Sequence, residues 1–211
     1  MFDRVFAGRA LVVAPHPDDE VIGCGGTLLR FRDQITHLAV AHLTASPSRI
    51  GEFHRVRDAI GIDAHYNVGH EDGFCTAAGK RIRLELIRVI QAERPDVVLT
   101  PHRHDSHADH QAASRYTRDA IDKARYWPPS QGDATHRVPT VLEYEVWTPI
   151  LRPAVIYDIT CSFERKLNLM AEYQSQTSTF PYIDYVRSIN SWRGLTHYCG
   201  GYAEAFGCYA I

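Results

Sequence analysis

One histidine and three carboxylates, His16, Asp18, Asp19 and Glu20, stand together directly after the apolar run Leu11 to Ala14. A buried strand rarely runs into that much uncompensated charge unless a cation or a reaction requires it. A second polar knot lies far downstream, where residues 101–110 read PHRHDSHADH. If folding joins the two knots, His16, Asp19 and His110 supply two imidazoles and one carboxylate and leave a fourth position open. That is the pattern of a catalytic rather than a structural zinc site. The open position would hold a water whose pKa falls towards ~7. Asp18, adjacent to Asp19 but pointing elsewhere, is placed to act as base towards that water. His107 precedes His110 by one helical turn and faces the same pocket, where it would polarise a substrate oxygen or protonate a leaving group. Asp109 would then hold or tune an imidazole. His102 and His104 read as rim or supporting residues. The donor set accepts iron or cobalt as well as zinc.

The elements around the knots give the reason they should meet. Residues 9–14 read as a buried strand and Val21 to Arg32 as a helix whose three glycines imply close packing. These glycines do not complete a dinucleotide fingerprint, because the third glycine is missing and acids stand where a pyrophosphate would sit. Ile35 to Thr44 is a second strand, followed by a polar loop at 45–48 and a helix from Arg49 to Ile60 that Gly61 stops. Asp63 to Val68 is a third strand and residues 69–73 a turn. Lys80 to Glu93 is a helix, with Ile82, Leu86, Val89 and Ile90 on one face. Asp96 to Thr100 is a fourth strand, and the second knot leads into a helix from Ala108 to Ala124. Strand alternating with helix predicts an α/β fold, Rossmann-like, with a mostly parallel sheet and helices on both faces. Both knots then sit at the carboxyl ends of strands, on the sheet edge where such folds bind ligands. Residues 125–139 read as a loop, Thr140 to Trp147 and Ala154 to Ile159 as strands, and Glu164 to Tyr173 and Tyr182 to Trp192 as helices. With no repeat or linker, residues 1–211 are read as a single domain.

Bulk composition narrows the classes. A hydrophobic content of 45% and a formal charge of -2 suit a globular protein and leave no basic footprint for nucleic acid or anionic membrane. Five cysteines without any C-x-x-C argue against a disulfide framework or zinc ribbon. Without a signal-peptide core or an apolar run of ~18 residues, a cytoplasmic location is expected. Oligomeric state is not legible.

Pro15 to Glu20 with His107 to His110 resembles the PIG-L/LmbE-like zinc-dependent N-acetylglucosaminyl deacetylase family. The likeness extends to Arg49 to Glu52, Asp72-Gly73, Asp105, Lys166, Tyr173 to Gln176 and Gly201 to Phe206, and so runs along nearly the whole chain. It implies one Zn2+ on His16, Asp19 and His110, Asp18 as general base and His107 as oxyanion stabiliser or acid. It also implies that Arg49 and Asp72 bind sugar hydroxyls. The expected partner is a small amino-sugar conjugate, and the expected reaction is hydrolysis of its N-acetyl group. Within the same family, another N-acyl group or a thiol-sugar conjugate is an alternative substrate.

Two rivals carry different expectations. Residues 105–110 come one histidine short of the H-x-H-x-D-H run of metallo-β-lactamase-like enzymes, whose long β-rich flanks are absent here. A non-catalytic sugar- or metal-binding module would have no use for Asp18 and His107 beside the ligands.

Overall fold

The computed structural model describes residues 5–44, 46–70, 73, 75, 77–127, 134–197 and 199–209. Seven strands form one sheet in the order β3-β2-β1-β4-β5-β7-β6. β1 (Arg9–Ala14), β2 (His37–Thr44), β3 (Ala64–His70), β4 (Val97–Pro101) and β5 (Thr140–Tyr144) run parallel. β6 (Val155–Asp158) and β7 (Ala203–Tyr209) complete the sheet antiparallel, with β7 between β5 and β6. The predicted mostly parallel α/β architecture is therefore present. Chain order reverses between β1 and β4, the switch point where a crevice opens in this class of sheet.

Strands covered on both faces need apolar residues at consecutive positions, which explains the unbroken runs in the sequence. Ala10 and Val12 of β1 belong to one core cluster, Leu11 and Val13 to the other, and β2 and β4 divide in the same way. The first face is covered by α1 (Asp19–Phe31), α2 (Pro47–Ile60), α5 (Phe163–Ala171) and α7 (Tyr182–Thr196). The second is covered by α3 (Gly79–Glu93) and α4 (Ala108–Ala124). A single turn, α6 (Gln174–Thr177), follows α5. Among the described residues no helix is long and apolar enough to cross a membrane.

Some boundaries differ from the sequence expectations for identifiable reasons. α1 begins at Asp19 rather than Val21, because the Asp18 carbonyl already accepts from Val21 and Ile22 N–H, at 2.9 Å each. Asp19 and Glu20 thus occupy the first turn, where carboxylates complement the helix dipole. α2 begins at Pro47, inside the expected loop: Ser46 Oγ accepts from Arg49 N–H and Pro47 takes the first turn. The strand expected to reach Trp147 stops at Tyr144, since Trp147 and Thr148 N–H turn to the Asp105 carboxylate. The helix expected to reach Tyr173 ends at Ala171. β7 has no counterpart among the strands expected from sequence. The close packing implied by the α1 glycines is real: a Cβ at Gly23 would lie 2.1 Å from the Tyr144 ring. Tyr144 in turn donates from its hydroxyl to Val13 O on β1 at 2.9 Å.

Candidate metal and active site

β1 and β4 are hydrogen-bonded neighbours, so the loops after them meet at one sheet edge. The β1–α1 loop carries His16, Asp18 and Asp19, and the start of α4 carries His107, Asp109 and His110. His16, Asp19 and His110, all buried, place one ligand-capable atom each within 4.8 Å of the others. Asp19 Oδ2 is the hub: His16 Nδ1 lies 3.1 Å away and His110 Nε2 3.3 Å away. The same oxygen accepts from His16 N–H at 2.9 Å, which closes the loop into a tight turn.

Each of these imidazoles has a carboxylate behind it. His110 Nδ1 is 3.1 Å from Asp105 Oδ1, and His16 Nε2 is 3.4 Å from Asp109 Oδ2. Asp109 is held by Gly73 and Cys75 N–H, at 2.7 and 3.1 Å. Asp105 is held by His107, Trp147 and Thr148 N–H, at 2.9, 2.8 and 3.1 Å. Such imidazole–carboxylate pairs orient histidines that bind metals. Asp109, expected to hold or tune an imidazole, lies beside that of His16. Asp105 had no role in the sequence reading; its place in D-x-H-x-D-H, five residues before His110, was the available signal.

The residues fit a divalent cation on chemical grounds. Both ring nitrogens of His110 are buried and neither meets the geometry of a hydrogen bond, although the Asp19 and Asp105 carboxylate oxygens lie 3.3 and 3.1 Å away, so this imidazole sits between two carboxylates with its donor capacity unspent. A second group, His16, His107 and Asp109, is also compact enough for an ion. Its donors are more fully engaged: Asp109 accepts two backbone N–H groups, and His107 Nδ1 accepts Asp109 N–H at 3.2 Å.

Electrostatics separate the groups further. Burial opposes ionisation of Asp19, but His110 and His16 outweigh it and hold the carboxyl well below the usual range. Burial likewise opposes a charged His110, yet Asp19 and Asp105 push its pKa up to about 9. The site thus attracts positive charge at the point the three ligands face. Asp18 goes the other way: burial first, then Asp19, push its carboxyl well above the ordinary value, against Arg49 and His16. His107 is lowered by burial and by His110 and His16. Because its Nδ1 accepts a backbone hydrogen, the neutral ring carries its own hydrogen on Nε2.

His16, Asp18, Asp19 and His107 border a cavity of about 140 Å³ that Ile22, Arg49, Trp147, Gln176 and Tyr182 complete, and His110 lies buried behind it. Arg49 donates to Gln176 Oε1 at 2.8 Å and so ties α2 to α6 across the pocket wall. The sequence does not single out Trp147, which reaches the site only through tertiary packing, whereas Tyr182 is one of the aromatic residues it offers for stacking on a sugar face and Gln176 belongs to the Tyr173 to Gln176 block. Asp72 lies outside the described residues. A larger cavity of about 410 Å³, lined by Arg103, Arg115 and Arg118 among others, contains none of the convergent imidazoles and acids. Chemistry rather than volume marks the smaller cavity as the site.

The chain is also similar to known proteins. The profile of the PIG-L family, described as GlcNAc-PI de-N-acetylase, matches residues 11–121. A 1D-myo-inositol 2-acetamido-2-deoxy-alpha-D-glucopyranoside deacetylase from Streptomyces griseus subsp. griseus is 29% identical, with 70% of this chain and 57% of that protein covered. The chain therefore spans little more than half the length of that relative. A diacetylchitobiose deacetylase from Thermococcus kodakarensis is 25% identical over 80% of this chain and 70% of its own. Among solved structures, the conserved protein TT1542 from Thermus thermophilus is 30% identical. It superposes with a TM-score of 0.84 over 94% of this chain and 93% of that one.

Proposed function

The chain belongs to the PIG-L family, and on that premise we propose that it is a metal-dependent hydrolase removing the N-acetyl group from an N-acetylglucosamine-type conjugate. The observation that carries the proposal is the convergence of His16, Asp19 and His110 on one point, with Asp18 and His107 lining the same small cavity. In this reading His16, Asp19 and His110 hold one divalent cation, zinc in the first instance. When bound, such an ion acidifies a water and polarises a carbonyl oxygen.

The protein groups divide the remaining work. Asp18, its proton affinity raised by burial and by Asp19, takes a proton from the attacking water; a base is most effective when its pKa approaches the working pH. Neutral His107, with its hydrogen on Nε2, donates to the carbonyl oxygen as negative charge develops there, help of a kind worth ~3–4 kcal/mol per donor. The proton taken up at Asp18 is then available to the departing nitrogen, so acetate and a free amine leave. Arg49, on the pocket wall, binds hydroxyls of the sugar, and Trp147 and Tyr182 supply apolar surface for its ring. Asp105 and Asp109 keep the two ligand imidazoles oriented.

The relatives named as deacetylases support acetyl as the acyl group. The test is acetate release measured across a panel of N-acetylglucosaminides, with the metal content of the same sample determined. Acetate release from at least one member, at one metal ion per chain, is expected. Turnover only of a different N-acyl or thiol-sugar conjugate would move the reading to the alternative substrate. Tight sugar binding without any hydrolysis would overturn it.

A further inference from the structure

Glu20 has no part in the chemistry described above, yet it is completely buried directly beneath Asp18. Its carboxylate gathers donors from three separate parts of the chain. Asp18 N–H reaches Oε2 at 3.1 Å, His42 Nε2 on β2 reaches the same oxygen at 3.1 Å, and the Tyr173 hydroxyl after α5 donates to Oε1. His42 is itself completely buried and packs edge-on against Phe53 at 4.6 Å. Its other ring nitrogen lies 3.0 Å from His65 Nε2 on β3. With Nε2 of His42 giving its hydrogen to the carboxylate, Nδ1 is left to accept from His65, so the hydrogen-bond directions along the chain are mutually consistent.

The need for such a clamp lies in the backbone it grips. Asp18 has φ 132° and ψ −30°, a conformation that L-residues avoid and that persists only where the surroundings over-determine it. Outside the clamp, Asp18 opens α1 through its carbonyl, which accepts from Val21 and Ile22. That carbonyl fixes one side of the residue. Its N–H is fixed by Glu20 alone among the described contacts. A carboxylate buried with three donors is costly to assemble compared with an apolar side chain of the same volume.

We infer that Glu20 is the positioning residue for Asp18, and that His42 and Tyr173 hold Glu20 in place. By gripping the Asp18 N–H, Glu20 keeps the strained backbone that aims the Asp18 carboxylate into the cavity. The inference rests on the reading of Asp18 as base. Misplacement of a reacting group by about 1 Å lowers turnover by roughly 100-fold, and the loss should fall on kcat, because Glu20 touches neither the cavity nor the ligand atoms.

The test uses the full chain and four variants. Glu20→Met keeps the volume and removes every acceptor; Tyr173→Phe removes a single hydroxyl; His42→Ala removes the imidazole donor, and His42→Gln returns an N–H near its position. Expected for Glu20→Met is a kcat lowered about 10- to 100-fold, with KM and metal content within about twofold of the native protein. Hydrogen exchange of the Asp18 amide should quicken in the same variant by about tenfold or more, as expected when a protecting bond is lost. Tyr173→Phe and His42→Ala should show smaller losses of the same kind, with His42→Gln recovering most of the His42→Ala loss. In an Asp18→Asn background, Glu20→Met should lower kcat no further, since both act through one group. A native kcat and native Asp18 amide exchange in Glu20→Met would overturn the inference, as would an equal loss in the Asp18→Asn background or a parallel loss of metal. An unimpaired Asp18→Asn overturns the base assignment itself, and is distinguishable because then the failure appears before Glu20 is touched.

Discussion

Replacing Asp105 by Asn probes the metal centre without touching a proposed ligand. The Asp105 side chain is completely buried and serves four close neighbours, with His102 Nε2 farther off at 3.9 Å. Oδ1 takes His107 N–H and lies beside His110 Nδ1; Oδ2 takes Trp147 and Thr148 N–H. Asparagine offers one oxygen and one NH2. With its oxygen towards Trp147 and Thr148, the NH2 confronts His107 N–H and forces His110 into the tautomer with Nδ1 as acceptor. With its oxygen towards His107 and His110, two backbone N–H groups confront the NH2 instead. Either way at least one buried donor loses its acceptor, at a cost of about 1–3 kcal/mol. In either orientation the negative charge behind His110 is also lost, and with it part of the influence that raises the basicity of this imidazole. Removal of such a carboxylate partner lowers metal affinity roughly 10- to 100-fold. The assay is competition for zinc against a chelator of known affinity, with urea unfolding of the metal-free protein alongside. A weakening of zinc binding by about tenfold or more together with the stability loss is the expected result. Zinc affinity within twofold of native, with the stability loss present, would refute the idea that Asp105 serves a metal ligand.

Three further outcomes are expected. Asp18→Ala should retain its metal and lose activity by about 100-fold or more, in line with removal of a positioned general base; wild-type turnover would end that assignment. Lys166 is completely buried, donates to Glu204 Oε1 at 2.6 Å, Ile22 O at 2.7 Å and Asn190 Oδ1 at 2.8 Å, and joins α5, β7, α1 and α7. Lys166→Met should therefore destabilise the fold by roughly 3–5 kcal/mol in urea unfolding, because Glu204 keeps a buried charge without its counter-ion. His65 has its pKa lowered from the ordinary 6.5 to about 4, by burial and by His42. Between those values the unfolded chain binds a proton that the folded chain does not, so this residue makes stability fall as pH drops from 6.5 towards 4. His65→Gln should flatten the pH dependence of the unfolding free energy in that window, and an unchanged slope would contradict the shift.

What the sequence made legible depended on how local the cause was. β1, β2 and β4 stand out as continuous apolar runs because both their faces are covered. The meeting of the two knots follows from the same fact, since parallel strands of one sheet must end on one edge. Asp18, Asp19, His107 and His110 stood out because each lies beside another chemically active residue in the chain. Residues whose role comes from distant partners stayed hidden. Asp105 was legible only as part of a block, because its carboxylate is defined by N–H groups 42 and 43 residues away. Glu20 shows in the sequence only as one carboxylate of its knot, whereas its partner Tyr173 is 153 residues on, and His42 carries no local sign of its contact with Glu20. β7 escaped notice because its alternation is broken by buried Glu204 and by Gly207. Pairing between β5 and β6 makes it a strand.

The central claim is that His16, Asp19 and His110 hold one catalytic divalent ion. Titrating zinc back into chelator-stripped protein, while following acetate release from the best N-acetylglucosaminide of the panel, tests it most directly. Activity should be absent at the start, rise linearly and reach its plateau at one equivalent, and fail to return at any ratio in His110→Ala at the same protein concentration. Full activity in the stripped protein, a plateau only at two equivalents, or normal recovery in His110→Ala would contradict it.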